Sequence, residues 1–185
     1  MRIEQTPLPG LFILSPEIFE DERGYFFESY REPVFQSLGL PIDFKQDNQA
    51  VSGEGVLRGL HYQLQYPQGK LVRVSLGEVY DVAVDIRRGS PTFGRHFGIR
   101  LSDYNHKMMF VPVGFAHGYC VLSPRAIFQY KCTEIYHPED EYGVLWNDPE
   151  LAIDWPVREP VVSEKDSSLP TLHAIPANLL PEYQE

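Results

Sequence analysis

Alternating apolar and polar residues in the middle of the chain constrain its fold most strongly. Val72 and Val74 alternate with Arg73, and after Gly77-Glu78 the same pattern resumes over residues 80–87. A period of two residues is typical of a half-buried β-strand, and a glycine between two such runs is typical of a turn. We therefore predict an antiparallel hairpin that turns at Gly77-Glu78.

Further strands are predicted on both sides of this region. The alternation returns over residues 97–101 and 126–133, and a turn signal stands at residues 88–91. Many short strands, with 14 glycines and 16 prolines to make turns, favour an all-β sandwich or barrel. The 185 residues are predicted to form one domain, residues 1–185, with its core at roughly residues 45–155.

Helical signals are few. Short helices are predicted at residues 33–38 and 178–185. From Pro156 onward the chain is rich in proline and polar residues. We expect this part to be an extended C-terminal segment packed on the barrel, because proline disfavours both helix and central strand.

Charge and cysteine content restrict the partners and the compartment. The net charge of −10 argues against nucleic acid, which needs a basic surface, but leaves a small anionic ligand open. No apolar run is long enough to cross a membrane, and residues 1–7 lack the apolar core of a signal peptide. Cys120 and Cys132 fall in strand-like runs, which favours buried thiols in a reducing cytoplasm.

One lysine has an unusual place in the pattern. Lys70 shares the parity of Val72 and Val74, so its side chain is predicted to point to the apolar face. Lysine is rarely buried without a partner or a task. A functional role is therefore favoured over a lysine that merely extends to water from the strand end.

Two motifs match the elements of cupin barrels. Residues 112–117 read P-x-G-x-x-H, and Gly55 with His61 forms the start of a G-x5-H element. In metal-binding cupins a second histidine and a glutamate follow, but here Gln63 and Lys70 stand near those places. An ammonium cannot coordinate a cation. The fold class is therefore predicted to be an all-β, cupin-like jelly roll without a metal.

Several motifs along nearly the whole chain resemble one enzyme family. They lie at residues 21–28, 46–48, 55–70, 81–87, 89–94, 112–117, 130–131, 146–149 and 163–166. Independent motifs in one order are more specific than any motif alone. On these motifs the chain resembles the dTDP-4-dehydrorhamnose 3,5-epimerases.

The resemblance implies an isomerase that needs no cofactor and inverts C3 and C5 of dTDP-4-dehydro-6-deoxy-D-glucose. Both carbons flank the C4 ketone, so the reaction needs a base, an electrophile at the C4 oxygen and an acid on the opposite face. By resemblance, His61 is the base and Asp166 orients it, while Lys70 is the electrophile. Tyr130 matches the acid, and His117 faces the sugar.

The resemblance also implies contacts with the nucleotide. Arg58 is expected to face the pyrophosphate, because a guanidinium can bond phosphate oxygens as a fork. Phe26 and Tyr136 are candidates to stack on thymine. Further contacts are expected at Arg23, Glu28, Gln46, Asp47, Asn48, Glu141 and Lys165. Family members usually form dimers that share strands, so a homodimer is expected.

Three alternatives stay open at this stage. An epimerase of a related dTDP-4-keto sugar, acting at C3 only or C5 only, would use the same histidine and aspartate. A metal-dependent cupin is disfavoured by Gln63 and Lys70. A cupin that only binds a sugar or nucleotide would have no need of an inward lysine beside a histidine.

Overall fold

The computed structural model describes residues 1–184, which form thirteen β-strands and two short α-helices. The strands are Arg2–Gln5 (β1), Phe12–Ser15 (β2), Phe19–Asp21 (β3), Gly24–Phe26 (β4), Gln46–Gly53 (β5), Leu57–Gln63 (β6), Lys70–Leu76 (β7), Glu78–Asp85 (β8), His96–Ser102 (β9), Met108–Val111 (β10), Phe115–Val121 (β11), Arg125–Cys132 (β12) and Glu141–Gly143 (β13). The helices are Glu32–Ser37 (α1) and Glu164–Ser167 (α2). Within these residues, neither helix has the length and apolar character that a bilayer crossing requires.

Two antiparallel sheets face each other. The larger has the order β1-β2-β10-β7-β12-β5, and the smaller has the order β13-β6-β11-β8-β9. A separate hairpin, β3-β4, lies outside both sheets. Strands adjacent in space are mostly distant in the chain, as in a jelly roll. The predicted all-β, cupin-like fold class is confirmed.

Apolar side chains fill three layers. Val72 and Phe128 from the larger sheet meet Ala83 and Tyr119 from the smaller sheet in the barrel interior. A second cluster lies on the outer face of the smaller sheet, and a third lies on the outer face of the larger sheet around Phe35 of α1. Since both faces of each sheet are covered over part of their area, several strands are apolar on both sides.

The predicted hairpin at Gly77-Glu78 is wrong. β7 pairs with β10 and β12, whereas β8 pairs with β11 and β9 in the other sheet. The turn carries the chain from one sheet to the other. Alternation reports an extended strand with distinct faces, but it does not say which strand lies beside it.

The C-terminal segment covers the smaller sheet, as the sequence predicts. Leu172, Ile175 and Leu180 pack against the outer face of that sheet. The helix predicted over residues 178–185 is wrong within the described residues, which contain only a single 3₁₀ turn at Ala177–Leu179. Proline at 181 removes a backbone donor and explains the stop. Glu185 lies outside the described residues, and the helix predicted at residues 33–38 is confirmed as α1.

Candidate active site

A pocket of about 470 Å³ opens between the two sheets. His61 and His117 line it from β6 and β11 of the smaller sheet, and Lys70 and Tyr130 line it from β7 and β12 of the larger sheet. Strand pairing places His61 directly beside His117. Four of the residues singled out in the sequence therefore meet in one cavity, on two opposite walls.

A bulge in β6 aims two side chains into this cavity. The register between β6 and β11 shifts between the pairs His117–His61 and Tyr119–Arg58, so three steps on β6 face two on β11. Gly59 lies in the bulge at a φ of 115°, and a Cβ there would lie 2.6 Å from the Gly118 Cα. Only glycine fits this close approach. As a result Arg58 and His61 both face the pocket, although their parity differs.

His61 is paired with Asp166 of α2. The Nε2 atom of His61 lies 2.7 Å from Oδ1 of Asp166, and a carboxylate only accepts, so Nε2 donates. In the neutral ring Nδ1 then keeps its lone pair. Burial raises the pKa of Asp166, but hydrogen bonds from His61, the Gly59 amide and Ser163 outweigh burial and hold this pKa below its usual value.

The larger sheet supplies a partly buried lysine. Lys70 faces the interior with Val72 and Val74, which confirms the predicted parity. Burial lowers the pKa of Lys70, while neighbouring Cys132, Glu141 and Asp81 act in the opposite direction. Within residues 1–184 no carboxylate oxygen lies within 4.0 Å of its Nζ. The charge is therefore available to a ligand in the cavity.

Tyr130 stands beside Lys70 on the neighbouring strand. Its ring packs against Phe128, with ring centroids 5.8 Å apart, and its side chain borders the pocket. Burial raises the pKa of Tyr130 to about 12. The phenol is therefore protonated near neutral pH and can donate a hydrogen bond or a proton into the cavity.

A second histidine–carboxylate pair was missed by the sequence reasoning. Nε2 of His117 lies 2.9 Å from Oδ1 of Asp81, and both side chains are buried. Because the carboxylate accepts from Nε2, the other ring nitrogen of His117 is left for the pocket side. One signal could have found it, since Asp81 is an acidic residue within a strand that is apolar on both faces.

Polar groups collect at the rim of the cavity. Arg58 donates from Nε to Oγ of Ser52 at 3.2 Å, which holds its guanidinium at the entrance. Glu141 accepts a hydrogen bond from the Tyr136 hydroxyl at 3.0 Å and another from Lys165. Burial raises the pKa of Glu141, but the hydrogen bonds from Lys165 and Tyr136 hold this pKa below its usual value.

Other predicted contact residues lie outside this pocket. Arg23 pairs with Asp21 on the β3-β4 hairpin, and Phe26 on the same hairpin is 65% exposed. Glu28 borders a separate groove with Phe26. Asp47 pairs with Lys131 and borders another groove, on the larger sheet. Within a single chain, these residues do not line the cavity that contains His61.

The two other predicted contact residues of β5, Gln46 and Asn48, are hydrogen-bonded to each other. The Gln46 amide donates to Asn48 at 2.9 Å, and its oxygen accepts from the Tyr136 backbone at 2.8 Å. Gln63 is likewise engaged by backbone groups, and donates to the Tyr66 carbonyl at 2.7 Å. Across residues 1–184, no three His, Cys, Asp or Glu side chains are arranged to hold a metal ion.

The jelly roll, together with a histidine–aspartate pair that faces a lysine and a tyrosine, defines a class: a cupin-type isomerase that moves protons at carbon. The family profile of dTDP-4-dehydrorhamnose 3,5-epimerase matches residues 5–174. The chain therefore belongs to this epimerase family.

Known members of this family match the chain over nearly their whole length. The dTDP-4-dehydrorhamnose 3,5-epimerase of Pseudomonas aeruginosa is 54% identical over 168 residues, which are 90% of this chain and 93% of the relative. The epimerase of Legionella pneumophila, solved with dTDP-4-keto-L-rhamnose, has a TM-score of 0.97 at 51% identity, covering 100% and 99% of the two chains. A 3'-monoepimerase from Streptomyces bikiniensis, solved with dTDP-quinovose, has a TM-score of 0.91 at 36% identity, covering 97% and 92%.

Proposed function

We propose that this protein inverts both C3 and C5 of dTDP-4-dehydro-6-deoxy-D-glucose and so makes dTDP-4-dehydro-L-rhamnose. One observation carries the proposal: His61 and Tyr130 line opposite walls of one pocket, and Lys70 lines it from the same wall as Tyr130. Inversion of a carbon requires that a proton leaves one face and returns to the other. The activities of the relatives agree with this reading.

His61 is the base of this proposed reaction. Nδ1 takes the proton from C3 or C5, and the electron pair moves through the C3–C4 or C5–C4 bond onto the C4 oxygen. Asp166 accepts from Nε2 throughout, which keeps the lone pair on Nδ1 and stabilises the imidazolium that forms. Asp166 does not itself take up the proton.

Lys70 stabilises the enolate. A charged ammonium that points into the barrel interior interacts more strongly with a developing negative oxygen than one at the surface, because less water screens it there. His117, held by Asp81, can present its free ring nitrogen to the sugar. Tyr130 then gives its proton to the carbon from the opposite face, and the C4 ketone forms again.

The rim residues bind the nucleotide. Arg58 and Lys165 supply positive charge for the pyrophosphate, and the exposed Tyr136 supplies an aromatic face for thymine. Glu141 adds a polar contact near the same rim, and Gln46, which is bonded to the Tyr136 backbone and to Asn48, adds another. No step of this route draws on a cofactor, so turnover is expected to survive exhaustive chelation.

A second copy of the chain completes the nucleotide end. Arg23, Phe26 and Glu28 lie outside the pocket of their own chain, and Phe19, Tyr25 and Phe26 are exposed on the same hairpin. We therefore propose a homodimer in which this segment reaches the neighbouring pocket, with Asp47 close to the contact. A dimer is expected in light scattering, and a monomer at working concentration would contradict this proposal.

The cytoplasm is the proposed compartment. Cys120 and Cys132 are both buried free thiols, which suits a reducing environment. Fractionation of the source cells, with activity expected in the cytoplasmic fraction, tests this proposal.

A second candidate is an epimerase that inverts only one of the two carbons. The 3'-monoepimerase that shares this fold supports it. The two candidates share a base and differ in where the acid stands relative to the sugar, so the carbon that receives solvent protons separates them.

Incubation with the dTDP-4-keto sugar in deuterated water tests the proposal. NMR should show deuterium at both C3 and C5 of the product, with both centres inverted. Label at a single carbon would reject the double epimerisation and favour the second candidate. Absence of label at both carbons, with substrate bound, would reject both.

A further inference from the structure

Each inversion leaves the two proton-carrying residues in the wrong state for the next one. Deprotonation puts a proton on Nδ1 of His61, and reprotonation removes one from the Tyr130 hydroxyl. Because the proposed reaction inverts two carbons, this state must be reset within one reaction as well as between turnovers. A route by which the proton leaves His61 is therefore needed.

One carboxylate faces the nitrogen that gains the proton. Oε1 of Glu141 lies 3.8 Å from Nδ1 of His61. The placement follows from the strands. Glu141 pairs with Gln63, two residues from His61 on β6, so the two side chains point to the same side and meet diagonally.

The other oxygen of Glu141 is anchored at the solvent edge. Oε2 accepts hydrogen bonds from Tyr136 and Lys165, whose side chains lie at the rim. Tyr136 is 46% exposed, and the Lys165 side chain is 58% exposed, whereas the Glu141 side chain is 13% exposed. Glu141 thus bridges the inner nitrogen and the water outside.

The interaction between Glu141 and His61 changes from unfavourable to favourable when Nδ1 of His61 gains a proton. A lone pair on Nδ1 gains nothing from a carboxylate oxygen, since both only accept hydrogen bonds. Once Nδ1 carries a proton, the same pair becomes a charge-assisted hydrogen bond between imidazolium and carboxylate. The contact therefore draws the two groups together after proton abstraction and not before it.

We propose that Glu141 is the relay residue that takes the proton from His61 after each inversion and passes it to water at the rim. This inference rests on the proposed function of the same pocket. The N–H bond at Nδ1 breaks, its electron pair stays on the ring, and an O–H bond forms at Oε1. Glu141 then gives the proton to water, while the Tyr130 phenolate takes one from water, so no net charge accumulates.

Pre-steady-state kinetics of Glu141→Gln test the relay. The amide keeps the shape of the side chain but cannot accept the proton. In rapid-quench experiments we expect one inversion per active site within about threefold of the wild-type rate, then a steady rate at least about tenfold slower than wild type. Equal slowing of the first inversion and of the steady rate, or no slowing of either, would overturn the relay.

Rescue with formate distinguishes relay from folding or product release. Glu141→Ala leaves space for a small carboxylate, so added formate should speed the slow phase by about tenfold and leave the first inversion unaltered. Formate at the same ionic strength should not affect Glu141→Gln, in which the space is filled. If formate fails to speed the slow phase of Glu141→Ala, Glu141 has no relay role.

Lys165→Met provides the matched comparison. It removes a rim charge that contacts Glu141 but keeps the carboxylate. We expect a higher KM and no slow phase after the first inversion; a slow phase as large as that of Glu141→Gln would show that the rim charges, rather than proton acceptance, set the reset rate.

The kinetic experiment tests the relay separately from the proposed function, so either can be refuted without the other. A protein that inverts only one carbon still needs to reset His61 after each turnover, so the burst and slow phase apply to it equally. Deuterium position in the wild type reports the proposed reaction, whereas the two phases in Glu141→Gln report the relay.

Discussion

The two ends of the pocket are built in different ways. At the inner, sugar end, His61, His117, Lys70 and Tyr130 stand on strands that each have a paired neighbour on both sides. At the outer, nucleotide end, Arg58 lies at the rim, and its companions come from α2 and from the segment before β13. Further candidate contacts lie on the β3-β4 hairpin, away from the pocket.

This difference separates chemistry from binding. Proton transfer requires atoms held to within a fraction of an ångström, and paired strands supply that rigidity. Recognition of a flexible diphosphate tolerates longer and more exposed side chains. Substitutions at the inner end should therefore lower kcat, and substitutions at the outer end should raise KM.

The largest effect is expected from Asp166→Asn. The new amide can accept from Gly59 through its oxygen, which turns its NH2 toward Nε2 of His61. Nε2 must then accept, Nδ1 carries the proton, and the base is blocked. We expect kcat to fall by about 10³-fold or more with little change in KM.

Ser167→Ala is the matched control for Asp166→Asn. It changes an exposed residue of the same helix, and should leave kcat as in the wild type. If Asp166→Asn retained more than about a tenth of the activity, Asp166 would not set the tautomer of His61.

Tyr130→Phe should separate proton loss from inversion. The phenyl ring keeps the packing against Phe128 but has no proton to give. We expect inversion to fall by about 10²-fold while solvent exchange at C3 or C5 persists. NMR in deuterated water measures both rates, and Tyr104→Phe, at an exposed site, serves as the control. Equal loss of exchange and inversion would contradict the role of Tyr130 as the acid.

The pH dependence should identify Lys70 at the inner end. Lysine is charged below its pKa, and only the charged form stabilises the enolate, so activity should fall as pH rises through this pKa. Because burial lowers the pKa of Lys70 while that of Tyr130 is about 12, the basic limb belongs to Lys70 and lies below the usual lysine value.

Lys70→Arg tests this assignment through the shape of the profile. A guanidinium stays charged across the accessible pH range, so the basic limb should move upward or vanish, at reduced kcat. Measurement of kcat/KM against pH gives the result. If the basic limb of the kcat/KM profile stays at the same pH in Lys70→Arg, the limb belongs to another group.

A smaller effect is expected at the outer end from Arg58→Lys. The ammonium keeps the charge but loses both the fork and the hydrogen bond to Ser52. We expect KM to rise by about tenfold and kcat to stay within about threefold. Arg100→Met, which removes an exposed partner of Glu78 outside the pocket, should alter neither. A fall in kcat without a rise in KM would place Arg58 in the chemistry.

The sequence predicted the positions of the strands well, but it predicted poorly which strands pair with each other. Alternation located β7, β8 and β12, because burial on one face leaves a period of two. The same alternation suggested a hairpin at Gly77-Glu78, although the chain crosses there to the other sheet. Pairing depends on contacts between distant parts of the chain, which a local pattern does not contain.

The candidate site shows the same division. The parity of Lys70 predicted its inward direction, since one strand fixes it. The contact of Asp166 with His61 spans 105 positions, and only the resemblance to a family suggested it. Asp81 and the bulge at Gly59 were missed, because their importance lies in a neighbouring strand that the local sequence does not name.

The most direct test of the account compares solvent exchange in the wild type and in His61→Asn. Asparagine keeps much of the size of the ring and a polar contact to Asp166, but it is not a base near neutral pH. With affinity for dTDP unchanged, exchange at both C3 and C5 should fall together by about 10³-fold or more. Exchange that persists at either carbon near the wild-type rate would show that another residue removes that proton, and would contradict the assignment of His61 as the single base.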